Sequence, residues 1–248
     1  MKICIAGKNS IAVNACQWLL ESGQVSKSNL LACVNRTDSG VDNFQPSFKA
    51  FCEKNNITVA PLENLVQLEE LIFFSLEYDQ IIPVKRLISK RLYNIHFSLL
   101  PKYRGVYTSA WPILNNEKQS GVTLHEIDEG IDSGNSIAQR TFDLSSNMTA
   151  RDLYFAYLNY GFKLFKDNYQ VIVNGEFQSV EQDENLATYY DKNSIDYSKA
   201  TLRFNCNAED VVNQVRAFTF KEFQLPKFNE KNIIKNWVIS CLAINSLG

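Results

Sequence analysis

No stretch of this 248-residue chain approaches the length of a membrane span: the longest apolar runs, residues 3–7 and 71–76, are a fraction of the roughly 20 residues that cross a bilayer. The first run stops at Lys8, too soon for the apolar region of a secretory signal, so the chain is expected in the cytoplasm. Cysteine is present but unpaired in pattern. The six residues (Cys4, Cys16, Cys33, Cys52, Cys206 and Cys241) contain no CxxC pair and have no histidine near them in sequence. Neither a zinc site nor a disulfide framework is indicated, and buried thiols are expected. An excess of positive charge is missing too: 25 Lys and Arg face 27 Asp and Glu, a net charge of -2, without the basic signature of a nucleic-acid binder. Histidine is scarce, with only His96 and His125. The 45% hydrophobic and 21% charged residues fit an ordinary globular core and exclude a disordered or fibrous chain.

The chain order predicts an α/β protein. Residues 2–7 read as a β-branched strand closed by glycine, and residues 10–20 as a helix with Ile11, Val13, Cys16, Leu19 and Leu20 at helical intervals. Further strands are predicted over 30–34, 71–75, 93–97 and 121–127, and helices over 47–55, 82–90 and 109–115, the second of these opening at Pro83. Such alternation implies a parallel, twisted sheet covered on both faces. Thr149 and Asp152 form a capping-box start for a long amphipathic helix with Leu153, Tyr157, Tyr160 and Leu164 on its stripe and Gly175 beyond its end. That helix closes a first domain of residues 1–180. Residues 181–248, with a helix over 208–217 and a strand-like end at 233–239, read as a smaller α+β subdomain.

Ligands of open α/β sheets lie at the carboxyl ends of the strands, so the residues after Gly7, Ser75 and His96 are expected to converge. Gly7-Lys8-Asn9-Ser10 offers a glycine turn, amides at a helix start and a cation, which suits phosphate, although a purely structural turn reads as well. Between Asp79 and Glu117 there is no acid. Lys85, Arg86, Lys90 and Arg91 in that stretch read as a solvated helix face, whereas Lys102 and Arg104 follow a strand end and a proline. His96 alternates with Asn94, so a carboxamide and an imidazole share one face. His125 lies in an alternating strand, where a structural role is at least as good a reading. Asp128-Glu129-Gly130-Ile131-Asp132-Ser133-Gly134 places acids among glycines. It lacks the Asp/Asn ladder of a calcium loop, and its glycines would let Asp132 approach another loop closely. An Asn, a His and an Asp meeting at a strand end suit acyl transfer to an amine.

Asn94-Ile95-His96-Phe97-Ser98-Leu99-Leu100-Pro101, followed by Gly105 and then by the 128–134 stretch, resembles the paired signature of folate-dependent formyltransferases over roughly residues 1–180. Phe97 stands where several relatives have proline, a change of packing that leaves the polar groups untouched. The resemblance implies a Rossmann-like, mostly parallel catalytic domain, 10-formyltetrahydrofolate as co-substrate and no metal. It implies Asn94, His96 and Asp132 as the catalytic triad, the first two holding the formyl oxygen and Asp132 orienting His96 and helping to remove the amine proton. The segment with Tyr78, Asp79 and Ile81 resembles the part that lines the family's pterin pocket, and Leu99 and Asp128 join it from the signature stretches.

The acceptor is narrowed by the C-terminal residues. From Glu176 onward ten acids face eight bases, which speaks against methionyl-tRNA, and a glycinamide ribonucleotide enzyme would end soon after the catalytic domain. Residues 213–226 resemble the C-terminal segment of sugar N-formyltransferases, particularly those acting on dTDP-4-amino-4,6-dideoxyglucose for O-antigen or other bacterial surface polysaccharide. In that reading Phe220, Phe223 and Gln224 take the pyrimidine, with Phe218 as a further aromatic, although a place in the small subdomain's core reads at least as well for any one of the aromatics. Lys8, Asn9, Ser10, Lys102 and Arg104 would then meet the diphosphate. The partner is expected to be a small nucleotide sugar, with no nucleic acid and no membrane, and the family's habit implies a homodimer. A formyltetrahydrofolate hydrolase and a non-catalytic nucleotide-sugar binder remain open beside it.

Overall fold

In the computed structural model, which describes residues 1–228 together with 231 and 232, β1 (Lys2–Gly7) runs into α1 (Asn9–Glu21). Then come β2 (Leu30–Val34), α2 (Phe48–Asn55, capped by the Ser47 hydroxyl), β3 (Thr58–Val59) and β4 (Leu71–Leu76). The chain continues through β5 (Leu92–His96), β6 (Arg104–Gly105), α3 (Trp111–Leu114), β7 (Gln119–Glu126) and β8 (Ser136–Asp143). A long α4 (Ala150–Asn174) follows, then β9 (Tyr189–Tyr190), α5 (Ala208–Ala217) and a short pair, β10 (Lys227–Phe228) with β11 (Lys231–Asn232). Among the described residues no helix is long and apolar enough to cross a membrane.

The main sheet has seven strands in the order β3-β2-β1-β4-β5-β7-β8, parallel up to β5 and antiparallel at β7 and β8. The chain first moves outward from β1 through β2 to β3, then returns to place β4 on the other side. This reversal between β1 and β4 opens a crevice at their carboxyl ends. The two strands lie so close there that a Cβ on Gly7 would fall 1.9 Å from the Leu76 carbonyl oxygen, so only glycine fits. α1, α2 and α4 cover one face around a core that includes Ile5, Ile11, Phe74, Ile95, Tyr157 and Phe165, and Cys4, Phe73, Leu65 and Leu87 fill a second core on the other.

α4 begins on the capping box read from Thr149 and Asp152, both halves of which are formed, and ends at Gly175 in a left-handed C-cap at φ 74°. Loss of either end would cost about 1 kcal/mol.

One expectation about the elements is corrected. Residues 82–90 form turns instead of a helix: Ile82 and Leu87 are both buried in the second core, and the Ser89 hydroxyl binds the Leu71 carbonyl. A five-residue spacing does not keep two side chains on one helical face, so turns bury both while crossing from β4 to β5. Residues 136–143 form an edge strand that was not foreseen. The strand-like end expected at 233–239 lies outside the described residues.

Beyond residue 180 the chain packs back onto the sheet domain. Val180 bridges Ser136, and β9 pairs with β6 in parallel. Tyr190 stacks on Trp111 with ring centroids 4.1 Å apart. Ile195, Ala217 and Phe220 are buried in the same core as β1 and α4.

Candidate active site

Asn94 and His96 alternate along β5, and antiparallel pairing with β7 puts His125 directly opposite Asn94. Residues so paired share a face of the sheet, and the loop after β7 brings Asp132 to the same place. Asp132 Oδ1 lies 3.4 Å from His96 Nδ1, 3.3 Å from Asn94 Nδ2 and 3.6 Å from His125 Nε2. His96 Nε2 contacts the Tyr103 carbonyl at 2.7 Å. A carbonyl only accepts, so that nitrogen carries a hydrogen and Nδ1 is the one turned to the carboxylate. By the same logic His125 Nδ1 donates to the Glu126 carbonyl (2.7 Å), which leaves Nε2 to accept from Asn94 Nδ2 at 3.0 Å. His125, whose structural and functional readings stood level in the sequence, thus fixes the Asn94 carboxamide.

Burial acts to raise the Asp132 carboxyl. The opposing charge of His96, the contact with His125 and the Gly105 amide outweigh it and hold the group well below the usual carboxylate range. Asp132 has a left-handed backbone at φ 55°, unusual for a residue with a side chain. The loop is held by specific bonds. Gly105 N–H donates to Asp132 Oδ2 at 2.9 Å, and buried Gln182 donates from Nε2 to the carbonyls of both Asp132 (2.9 Å) and Gly134 (2.7 Å). Gln182 in turn accepts two bonds from Arg104, whose guanidinium also forks onto Glu184. Nothing in local sequence pointed to Gln182, because its partners lie about fifty and eighty residues away.

The triad opens into a cleft of about 1010 Å³. One set of lining residues comes from the segment after β4 and the loop after β7: Tyr78, Asp79, Ile81, Ile127, Asp128 and Ile131. Asp128 braces its own loop through the Ser133 hydroxyl and the Gly130 amide. Ile81 and Ile131 are 82% and 46% exposed, an apolar surface open to a flat ring system. The other set comes from Lys8, the residues after β6, and the C-terminal segment with Tyr189, Lys192, Phe220, Phe223 and Gln224. Phe220 is packed in an aromatic group with Phe44, Tyr154 and Phe223, and Phe223 is 66% exposed.

Several predicted site residues lie elsewhere. Arg104 is buried and engaged by Gln182 and Glu184, and Lys102 pairs with Glu117 at 3.4 Å, so neither cation lines the cleft. Leu99 packs beside Gly121 outside it. The Ser10 amide is taken by Gln45, and the Asn9 side chain is committed to Glu77 and Tyr154. Of the Gly7–Ser10 turn, Lys8 alone reaches the cleft. Burial pushes the Glu77 carboxyl up to about 7, against the Lys8 charge and the bonds from Tyr154 and Asn9. Among the described residues no group of three His, Cys, Asp or Glu is placed to hold a metal ion.

The chain is similar to known formyltransferases. Residues 47–167 match the formyl transferase family. Methionyl-tRNA formyltransferase of Alkaliphilus oremlandii is 27% identical over 95% of this chain and 81% of its own. Solved structures are more similar. An N-formyltransferase from Helicobacter canadensis, in complex with folinic acid and dTDP-3-aminofucose, superposes with a TM-score of 0.92 at 46% identity, covering 95% of this chain and 87% of that one. WlaRD, a sugar 3-N-formyltransferase with dTDP and 5-N-formyltetrahydrofolate, gives 0.91 at 47% identity, over 95% and 85%.

Proposed function

The chain belongs to the formyltransferase family, and from that premise we propose that it formylates the amine of a dTDP-linked 3-amino-3,6-dideoxyhexose, with 10-formyltetrahydrofolate as donor. The observation that carries this reading is identity of 46–47% over 95% of the chain to two N-formyltransferases whose complexes hold a folate and dTDP or a dTDP-3-amino sugar. The 4-amino sugar suggested by residues 213–226 has weaker support, since a 4-N-formyltransferase from Francisella tularensis is 20% identical. The net negative charge after residue 176 weighs against tRNA.

The apolar surfaces of Ile81 and Ile131, with Asp128 beside them, fit the folate. The folate supplies a formyl carbon, which would leave N10 as the amine bonds to it, N10 taking up a proton in exchange for the one the amine gives up. The residues of the chain do the rest. Asn94 holds the formyl oxygen with the Nδ2 hydrogen that now makes a long 3.3 Å bond to Asp132, and His96 completes that grip from the same face. The proton lost by the amine passes to the His96–Asp132 pair, whose carboxylate is ionised at neutral pH.

Lys8 and Lys192 are the only Lys or Arg lining the cleft among the described residues, which makes them the partners of the diphosphate. Lys8→Met and Lys192→Met are each expected to raise KM for the nucleotide sugar roughly tenfold, with kcat and the folate KM within about twofold. An unchanged sugar KM in both would remove that assignment. The function itself is tested by incubating the protein with 10-formyltetrahydrofolate and a panel of amino-sugar nucleotides. Mass spectrometry should show one formyl group added to a dTDP-3-amino sugar. Formate release without a formylated sugar would point instead to hydrolysis.

A further inference from the structure

At the point where the sheet order reverses, both strands leave through strained residues. Asn9 follows β1 with φ 59° and Glu77 follows β4 with φ 63°, left-handed positions that side chains seldom occupy. A closed set of bonds holds them there. Asn9 Nδ2 donates to Tyr154 OH (2.7 Å) and to Glu77 Oε2 (3.2 Å), and Tyr154 OH donates to the same oxygen at 3.1 Å. Asn35 Nδ2 holds the Glu77 carbonyl at 2.9 Å. These contacts present a carboxylate to the cleft, and its Oε1 takes no hydrogen bond from any described residue.

An oxygen left open in this way is suited to a hydrogen-bond donor. Ser75, two residues before Glu77, pairs with Asn94 on the neighbouring strand. Glu77, just past the end of β4, lines the same cleft as Asn94, His96 and Asp132. The amine of the acceptor is occupied at Asn94, His96 and Asp132. With the amine held there, the free oxygen of Glu77 is left to a hydroxyl donor elsewhere on the acceptor.

We propose that Glu77 is the residue that reads the acceptor sugar, its open Oε1 accepting a hydrogen bond from the ring hydroxyl beside the amine. The proposal rests on the nucleotide-sugar reading above. A site built to receive a hydroxyl discriminates against an analogue that lacks it.

The test compares kcat/KM for a dTDP-3-amino-3,6-dideoxyhexose and for its analogue lacking the hydroxyl next to the amine. The wild-type enzyme is expected to favour the hydroxylated acceptor by about 10- to 100-fold. In Glu77→Leu the ratio should fall to within about threefold, and Glu77→Gln, which keeps the shape and a weaker acceptor, should lie between, with the folate KM unchanged in both. The proposal is overturned by a wild-type enzyme that uses both acceptors equally, a result that needs no variant, or by variants that keep the wild-type ratio. Failure of the underlying reading is a separate result: wild-type protein that formylates no nucleotide sugar at all, with which this assignment also falls.

Discussion

The Asp132→Asn protein is expected to lose on the order of 10³-fold in kcat while KM for both substrates stays within about threefold. The substitution keeps the shape of the side chain, and its remaining oxygen still meets the Gly105 amide, 2.9 Å away in the wild type. Its new amide group, however, faces two nitrogens that already carry or seek hydrogens, His96 Nδ1 at 3.4 Å and Asn94 Nδ2 at 3.3 Å. The imidazole loses its counter-charge and the amine proton loses its destination. Steady-state kinetics with product detected by mass spectrometry decide the matter, and a kcat within tenfold of wild type would remove Asp132 from proton transfer.

The same substitution carries a pH signature. The folded-state carboxyl titrates below its unfolded value, so it contributes stability that is fully present above the unfolded pKa of about 3.9 and is lost as pH falls through the folded one. The difference in thermal midpoint between wild type and Asp132→Asn should hold steady from about pH 7 to pH 5 and narrow below that. A gap that widens on acidification would contradict the assigned ionisation.

Gln182→Leu is expected to lower the thermal midpoint by roughly 6–12 °C and kcat by at least tenfold. Leucine leaves the Asp132 and Gly134 carbonyls without the donor that reaches them at 2.9 and 2.7 Å, and strips two bonds from the buried Arg104 guanidinium. A buried guanidinium left with Glu184 as its one side-chain partner and two bare carbonyls together cost about 3 kcal/mol. Gln182 touches no substrate and acts as a positioning residue, holding a left-handed aspartate that would otherwise relax. Gln182→Glu separates its two jobs, since a carboxylate still pairs with Arg104 but cannot donate to the carbonyls. It should recover most of the midpoint and little of the kcat. Recovery of both, or a Gln182→Leu protein with full kcat, would show that Gln182 serves folding alone.

Most strands and helices were legible because their signals are local. Residues 2–7, 30–34 and 71–76 are short apolar runs between turn formers, and Thr149, Asp152 and Gly175 mark both ends of α4 within a few residues. The meeting of Asn94, His96 and Asp132 was legible for the same reason, the three lying in two compact stretches of chain. The failures are long-range. Lys102 and Arg104 look like free cations until Glu117 and Glu184 are brought to them by the fold. Asn9 looks like a phosphate ligand until Tyr154, which lies 145 residues further along, takes its amide. Glu77, Gln182 and Lys192 carry no local pattern at all, and only the folded chain places them at the site.

The bond between Arg104 and Gln182 also limits how acceptor preference can be exchanged among relatives. The segment that brings Tyr189 and Lys192 to the cleft is anchored by the same side chains that steady Asp132. A chimaera that swaps residues 181–228 alone would import a foreign acceptor surface and discard half of the clasp on Asp132. Exchanging positions 104 and 182 together would keep the clasp whole, so the natural unit of exchange here is a contact and not a stretch of chain.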